Sequence, residues 1–329
     1  MAIFRVVGES DVRALLDEKS ALAIARATFR DQATGRSRLS TPSAMTLDAR
    51  EEGGPRFKFK AATVGYLNAS GVRLLARRGG NTGPDACNYT AVYDHRSGTL
   101  AGLVSELWLS RVRTAAFAIA ALEPLVRRGR LMIGLFGTGD IATEIMPLLA
   151  AAFEIAGIRV NSRRPERARA FAEKFEKTLA LPVCAEEDPA AVAAGADLII
   201  TVTEAASPLV RPGMLVPGAV LCTMGSYNEV AFEVLREIDR IIVDDPDYAS
   251  EMGDGAAWIA QGRLTRGDFL ARIDALAAEV VAGLKPGRMD AKSRLLAIVQ
   301  GMAVGDIAFA VHVLRAAEAK GCGQVIELS

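Results

Sequence analysis

Leu131-Met132-Ile133-Gly134-Leu135-Phe136-Gly137-Thr138-Gly139-Asp140-Ile141-Ala142 is the stretch that decides the fold. A short apolar run ends at Phe136, and residues 140–152 then carry apolar side chains at helical spacing. The run reads as a buried strand and the segment after it as a helix. Between them lies G-x-G-x-x-A, formed by Gly137, Thr138, Gly139, Asp140, Ile141 and Ala142. A strand before this pattern and a helix after it form the context in which it binds a dinucleotide. Gly137 permits the tight turn, Gly139 lets backbone approach a pyrophosphate, and Ala142 allows close packing of helix on strand. The unpaired N–H groups at the helix start then face the phosphates. The other reading of these glycines is a plain turn in some different α/β protein.

The same alternation continues downstream. Residues 158–162, 198–202, 219–224 and 240–244 are short apolar strands, and 165–177 is a helix with Pro165 in its first turn. Continuous apolar strands separated by helices predict a parallel sheet covered on both faces. The end of the second strand separates NAD from NADP. NAD enzymes usually place an acid there for the ribose 2′-hydroxyl. Here the chain reads Asn161-Ser162-Arg163-Arg164. Paired guanidinium groups suit a 2′-phosphate, so NADP(H) is preferred over NAD(H). The plain alternative is a solvated basic turn.

Upstream the pattern changes. Residues 11–29 have the spacing of an amphipathic helix. Alternating segments follow at 56–61, 71–77, 89–94 and 100–106, separated by turn signals such as Gly79-Gly80-Asn81 and Arg96-Ser97-Gly98. These predict an antiparallel or mixed sheet in a separate α+β unit. Helix 109–121 leads into the parallel domain, and a last helix, 302–320, returns to the first unit. The fold class is therefore α/β, a Rossmann-type doubly wound parallel sheet inserted into an α+β substrate and dimerisation domain. The expected boundaries are 1–120, completed by 302–329, and 121–301.

The 329 residues suit about two domains at roughly 150 residues each. Half of them are hydrophobic and 24% charged, which excludes disorder as the main state. Basic and acidic residues number 39 each, so no charge excess favours nucleic acid or an anionic membrane. Cys87, Cys184, Cys222 and Cys322 form no C-x-x-C pair, and with His95 and His312 the only histidines no zinc site is expected. A cytoplasmic location is expected: thiols of this kind fit a reducing compartment, and the charged N-terminal stretch lacks the apolar core of a signal peptide. Residues 295–314 are interrupted by Gln300, Asp306 and His312, so they predict a strand and a buried helix rather than a membrane span.

Several ordered segments together resemble the ornithine cyclodeaminase/mu-crystallin family. Leu109-Ser110-Arg111-Val112-Arg113-Thr114-Ala115-Ala116 looks like that family's helix with an Arg-Thr-Ala core, at the expected distance before the glycine turn. The hairpin from Tyr93 to Ala101, then Gly71-Val72-Arg73 with Asn81, are similar to further family segments. So are Thr201-Val202-Thr203, Met224-Gly225-Ser226 and Glu251-Met252-Gly253-Asp254, and Gly301 with Asp306. The resemblance implies hydride transfer between nicotinamide and the α-carbon of an amino or imino acid. It also implies a homodimer.

The resemblance further implies roles for particular residues. Arg113 matches the arginine that binds the substrate carboxylate. Arg73 stands where most relatives have a lysine that contacts substrate and moves protons. A guanidinium stays charged at ordinary pH, so Arg73 is a poor proton carrier. Lys58 and Lys60 share one strand face, and Lys60 is a candidate to take over that task. The alternatives are an exposed strand face for Arg73 and a solvated one for Lys60. Asp306 either faces the nicotinamide pocket or merely caps and pairs. Thr201, Val202, Thr203, Met224, Gly225 and Ser226 are expected to line the cofactor site. Ser43 replaces a family carboxylate-binding arginine and Ser226 replaces the cyclodeaminases' acid, so ring closure with loss of ammonia is a secondary reading. A dinucleotide-binding protein without turnover is a third.

Overall fold

The computed structural model describes residues 2–49, 51, 54–77 and 88–328. The Gly79-Gly80-Asn81 turn and Cys87 lie outside the described residues. The chain forms two compact units, 1–114 with 302–329 and 115–301. The sequence suggests a boundary at 120; the units instead divide between Thr114 and Ala115, inside one unbroken helix.

The N-terminal unit begins with β1 (Ala2–Val7), α1 (Glu9–Ala14) and α2 (Glu18–Ala33). One helix was expected over 11–29. Asp17 breaks it, because its side chain accepts from the Ser20 N–H and caps a new helix. Strands β2 (Arg38–Leu39), β3 (Met45–Asp48), β4 (Arg56–Val64), β5 (Ala69–Arg77), β6 (Tyr89–Asp94) and β7 (Leu100–Ser105) follow, then α3 (Leu109–Leu122).

The second unit alternates strand and helix: β8 (Leu131–Phe136), α4 (Asp140–Ala152), β9 (Ile155–Asn161), α5 (Pro165–Leu179), β10 (Val183–Ala185), α6 (Pro189–Ala193), β11 (Leu198–Thr201) and β12 (Val220–Thr223). It continues with β13 (Arg240–Val243), α7 (Pro246–Glu251), α8 (Gly253–Ala260), α9 (Arg266–Ala271), β14 (Ile273–Leu276), α10 (Ala277–Val281) and β15 (Leu295–Ile298). Helix α11 (Ala303–Lys320) and β16 (Gln324–Leu328) belong to the N-terminal unit again.

Sheet order in the N-terminal unit is β16-β1-β7-β6-β5-β4-β2, with β3 also paired to β4. It is a mixed sheet, since β1 runs parallel to β7 while its other pairs are antiparallel. Helix α11 packs across β4 to β7. It is buried along most of its length, including Asp306. Gly71 makes the approach possible, because a Cβ there would lie 2.5 Å from Ile307 Cδ1 and from Ala91 O.

The second unit's sheet is wholly parallel, in the order β10-β9-β8-β11-β12-β15-β13-β14. The direction of winding reverses between β8 and β11, the switch point of a doubly wound sheet. Phe136, Ile199, Leu221, Val243, Trp258 and Ile298 are among the residues of one core cluster against this sheet. No helix among the described residues is long and apolar enough to cross a membrane.

Candidate active site

The N-terminal unit gathers three cations and two carboxylates on one face of its sheet. Strand register puts Lys60 opposite Arg73, and Arg73 opposite Thr90. These three form a row across β4, β5 and β6. Lys60 and Arg73 are only 5% and 4% exposed, so neither lies on a solvated strand face. Helix α3 adds Arg113, also buried, and α11 adds Asp306, fully buried.

Ion pairs hold the cluster. Asp306 Oδ1 lies 2.7 Å from Arg113 Nε and 3.5 Å from Arg73 Nη1. Glu106, just beyond β7, puts Oε2 3.0 Å from Arg73 Nε and accepts from Thr90 Oγ1 at 2.5 Å. Asp306 is thus paired with both guanidinium groups.

Burial dominates the acid–base behaviour here. Desolvation, then the charges of Lys58 and Arg113, push the Lys60 ammonium well below the ordinary 10.5. Desolvation lifts the Glu106 carboxyl from 4.5 to about 7, against the pull of Arg73. The two groups thus move toward one another, the ammonium made less basic and the carboxyl less acidic than their free counterparts.

In the second unit, the glycine turn has the geometry its sequence requires. Gly137 has φ +111°, and a Cβ there would lie 2.5 Å from Val202 O. Its N–H donates to Asn161 O at 2.9 Å. Gly139 is the N-cap of α4, and no atom lies within 4 Å of where its Cβ would be. That open space above a helix start fits a pyrophosphate. Asp140 and Ile141 begin the helix and Ala142 is buried under it; Thr138 is half-buried in the turn.

At the end of β9, Arg163 and Arg164 are exposed and Ser162 half-buried, a set of donors that fits a 2′-phosphate. Asn161 is turned to another task, donating to the carbonyls of Glu186 (2.8 Å) and Glu187 (3.1 Å). Thr201 ends β11 and Thr203 follows it, and Met224, Gly225 and the exposed Ser226 follow β12. Among the described residues, no group of three His, Cys, Asp or Glu side chains is placed to hold a metal ion. His95 bonds Ser70 on the surface, Nδ1 to Oγ at 2.7 Å.

Sequence reading missed Glu106 and Glu229. Glu106 has one signal, an acid directly after the apolar strand Leu100–Ser105; the burial of Glu229 has no comparable signal in the sequence.

A family model for the ornithine cyclodeaminase/mu-crystallin family matches residues 5–321. The chain belongs to this family. A Delta(1)-pyrroline-2-carboxylate reductase of Bacillus cereus is 26% identical over 239 residues, 71% of this chain and 72% of that protein. An alanine dehydrogenase of Archaeoglobus fulgidus is 24% identical over 329 residues, 98% of each chain. The fold is shared with the Thermococcus litoralis Delta(1)-pyrroline-2-carboxylate reductase, solved with NADH and L-proline. That match has a TM-score of 0.88 at 21% identity, covering 98% of this chain and 99% of the other.

Proposed function

We propose that the protein is an NADP(H)-dependent oxidoreductase of C–N bonds, which reduces an imine or imino acid or interconverts an amino acid and its imine. The observation that carries this reading is the buried cluster of Lys60, Arg73 and Arg113 around Glu106 and Asp306. Relatives that reduce pyrroline-2-carboxylate or oxidise alanine support it, as their names state. So does the glycine turn opening α4. Gly137 to Ala142, with Thr201, Val202, Thr203, Met224, Gly225 and Ser226, would hold a nicotinamide dinucleotide; Ser162, Arg163 and Arg164 would favour the 2′-phosphate. The dinucleotide supplies or accepts the hydride.

Arg113, oriented by Asp306, presents a planar fork to the substrate carboxylate. Arg73 keeps its charge beside Glu106 and Asp306 and draws electron density toward the imine carbon's partner groups, a preorganised field in a dry site. Lys60 is the acid–base residue. Its lowered basicity lets it give a proton to the nitrogen during reduction and take one back in the reverse direction. Glu106 acts through Arg73 and keeps that guanidinium in place.

The protein is read as a homodimer. Apolar side chains left exposed on the N-terminal unit support this: Ile3, Val72, Tyr93 and Val325. Cys184, Cys222 and Cys322 are free thiols, in keeping with a cytoplasmic setting. The test is an absorbance screen of NADPH oxidation against cyclic imines and against 2-oxo acids with amines. Oxidation by one class supports the reading and names the substrate class. Steady ammonia release from a diamino acid without net change in absorbance would replace it with a cyclodeaminase.

A further inference from the structure

Glu229 has no place in the chemistry above, yet it is fully buried and four hydrogen bonds converge on its carboxylate. Oε2 accepts from Thr201 Oγ1 at 2.6 Å and from the Gly225 N–H at 2.9 Å. Oε1 accepts from both the N–H and the Oγ1 of Thr203, each at 2.6 Å. The donors come from the last residue of β11, the loop after it and the loop after β12. Residue 225 must be glycine for this, because a Cβ there would lie 2.2 Å from Glu229 Oε2.

Other contacts extend the clasp. The Gly225 carbonyl accepts from Gln300 Nε2 at 3.1 Å, so that residue is held on both sides. The Thr203 methyl stands 3.1 Å from where a Gly137 Cβ would be, so the same loop backs the turn after β8. Asp254 Oδ1 accepts from the N–H groups of Glu229 (2.7 Å) and Val230 (2.9 Å), which fixes the backbone that carries Glu229. Burial pushes both carboxyls up, Asp254 to about 8. Burying two acids this close is costly, and the hydrogen bonds that converge on them offset part of that cost.

In an open parallel sheet, ligands sit beyond the carboxyl ends of the strands at the switch point. With the phosphate turn after β8, the adenosine half belongs on the β9 side, where Asn161 to Arg164 lie. The nicotinamide half belongs on the β11 and β12 side. We propose that Glu229 is a positioning residue for the nicotinamide half: it locks the loops after β11 and β12 into one shape through Thr201, Thr203 and Gly225. The inference rests on the dinucleotide reading above and adds a specific residue to it.

Glu229→Gln is the test, because it keeps the shape and spoils the pattern. Whichever way the new amide is turned, its NH2 faces a backbone N–H, that of Gly225 or that of Thr203. The dissociation constant for NADPH should rise roughly ten-fold or more, the worth of one hydrogen bond to a charged group. The constant for 2′-phospho-ADP-ribose, which lacks the nicotinamide half, should stay within about two-fold of wild type, as one calorimetric series would show. Thr203→Val removes only the hydroxyl bond and should give the same split, smaller. Equal weakening of both ligands, or of neither, overturns the proposal. Wild-type protein that binds neither NADPH nor NADH overturns the dinucleotide reading itself, a distinct failure.

Discussion

Alanine at Gly137 should destabilise the fold, whereas alanine at Gly139 should leave the fold intact and weaken cofactor binding. At Gly137 the backbone has φ +111°, outside the range of ordinary L-residues, and an added Cβ would lie 2.5 Å from Val202 O. That oxygen cannot retreat freely, since the Val202 N–H is bonded to Phe136 O at 2.9 Å. Backbone strain of about 1–3 kcal/mol adds to the overlap, so Gly137→Ala should lower stability by roughly 2–4 kcal/mol. Gly139 has φ −84° and open space around its missing Cβ. There alanine should be neutral, or stabilising by up to about 1 kcal/mol through the unfolded chain. The same methyl would occupy the space proposed for pyrophosphate. Overpacking of about 1–3 kcal/mol corresponds to a rise of roughly 5- to 150-fold in the NADPH dissociation constant. Thermal denaturation with and without NADPH reads both quantities on both variants. Gly139→Ala that binds NADPH as wild type does would refute the assignment of this turn to the pyrophosphate.

Other substitutions test the remaining parts. Arg163→Ala with Arg164→Ala should weaken NADPH by roughly 10- to 100-fold, the worth of charge-assisted bonds to a phosphate, and leave NADH nearly unchanged; paired fluorescence titrations check this. Lys60→Met should cut the rate of imine reduction by about 10²–10⁴. In wild type, reduction should fall as pH rises through the lowered Lys60 pKa, since the acid must be protonated to donate. That limb should vanish in Lys60→Met and survive in Glu106→Gln, whose cluster still contains Lys58, Arg73, Arg113 and Asp306 beside Lys60. Glu106 also bears on stability. Its folded pKa of about 7 lies above the ordinary 4.5, so the folded state holds an extra proton between those values. The resulting contribution is full below 4.5 and lost as pH rises through about 7. Denaturant titrations across that window should show the slope in wild type and a flatter one in Glu106→Gln.

The parallel domain was legible because its signals are local. A strand, a glycine turn and a helix follow one another within residues 131–152, and each apolar strand is a continuous run. The first unit was less legible because its partners come from distant segments. Strand β1 pairs with β16, made by the other end of the chain, and neither was read as a strand. Likewise β15 inserts between β12 and β13, an order that sequence alone does not reveal. The site shows the same divide. Alternation puts Lys58 and Lys60 on one face, but what covers that face is decided by α11, more than two hundred residues later. Burial of Lys60 and Arg73 followed only from that packing, and the pairing of Arg73 with Glu106 only from the strand order. The cap at Asp17 was local and visible, yet the hydrophobic spacing across it concealed the break.

Hydride transfer to carbon is tested most directly with NADPH carrying deuterium at the transferable C4 position. The protein, this cofactor and a cyclic imino acid would be incubated together and the product examined by mass spectrometry and NMR. One deuterium at the α-carbon of the amino acid is the expected result. Product formed without deuterium, or a labelled nicotinamide that stays intact while ammonia is released, would contradict hydride transfer to an imine as the net reaction.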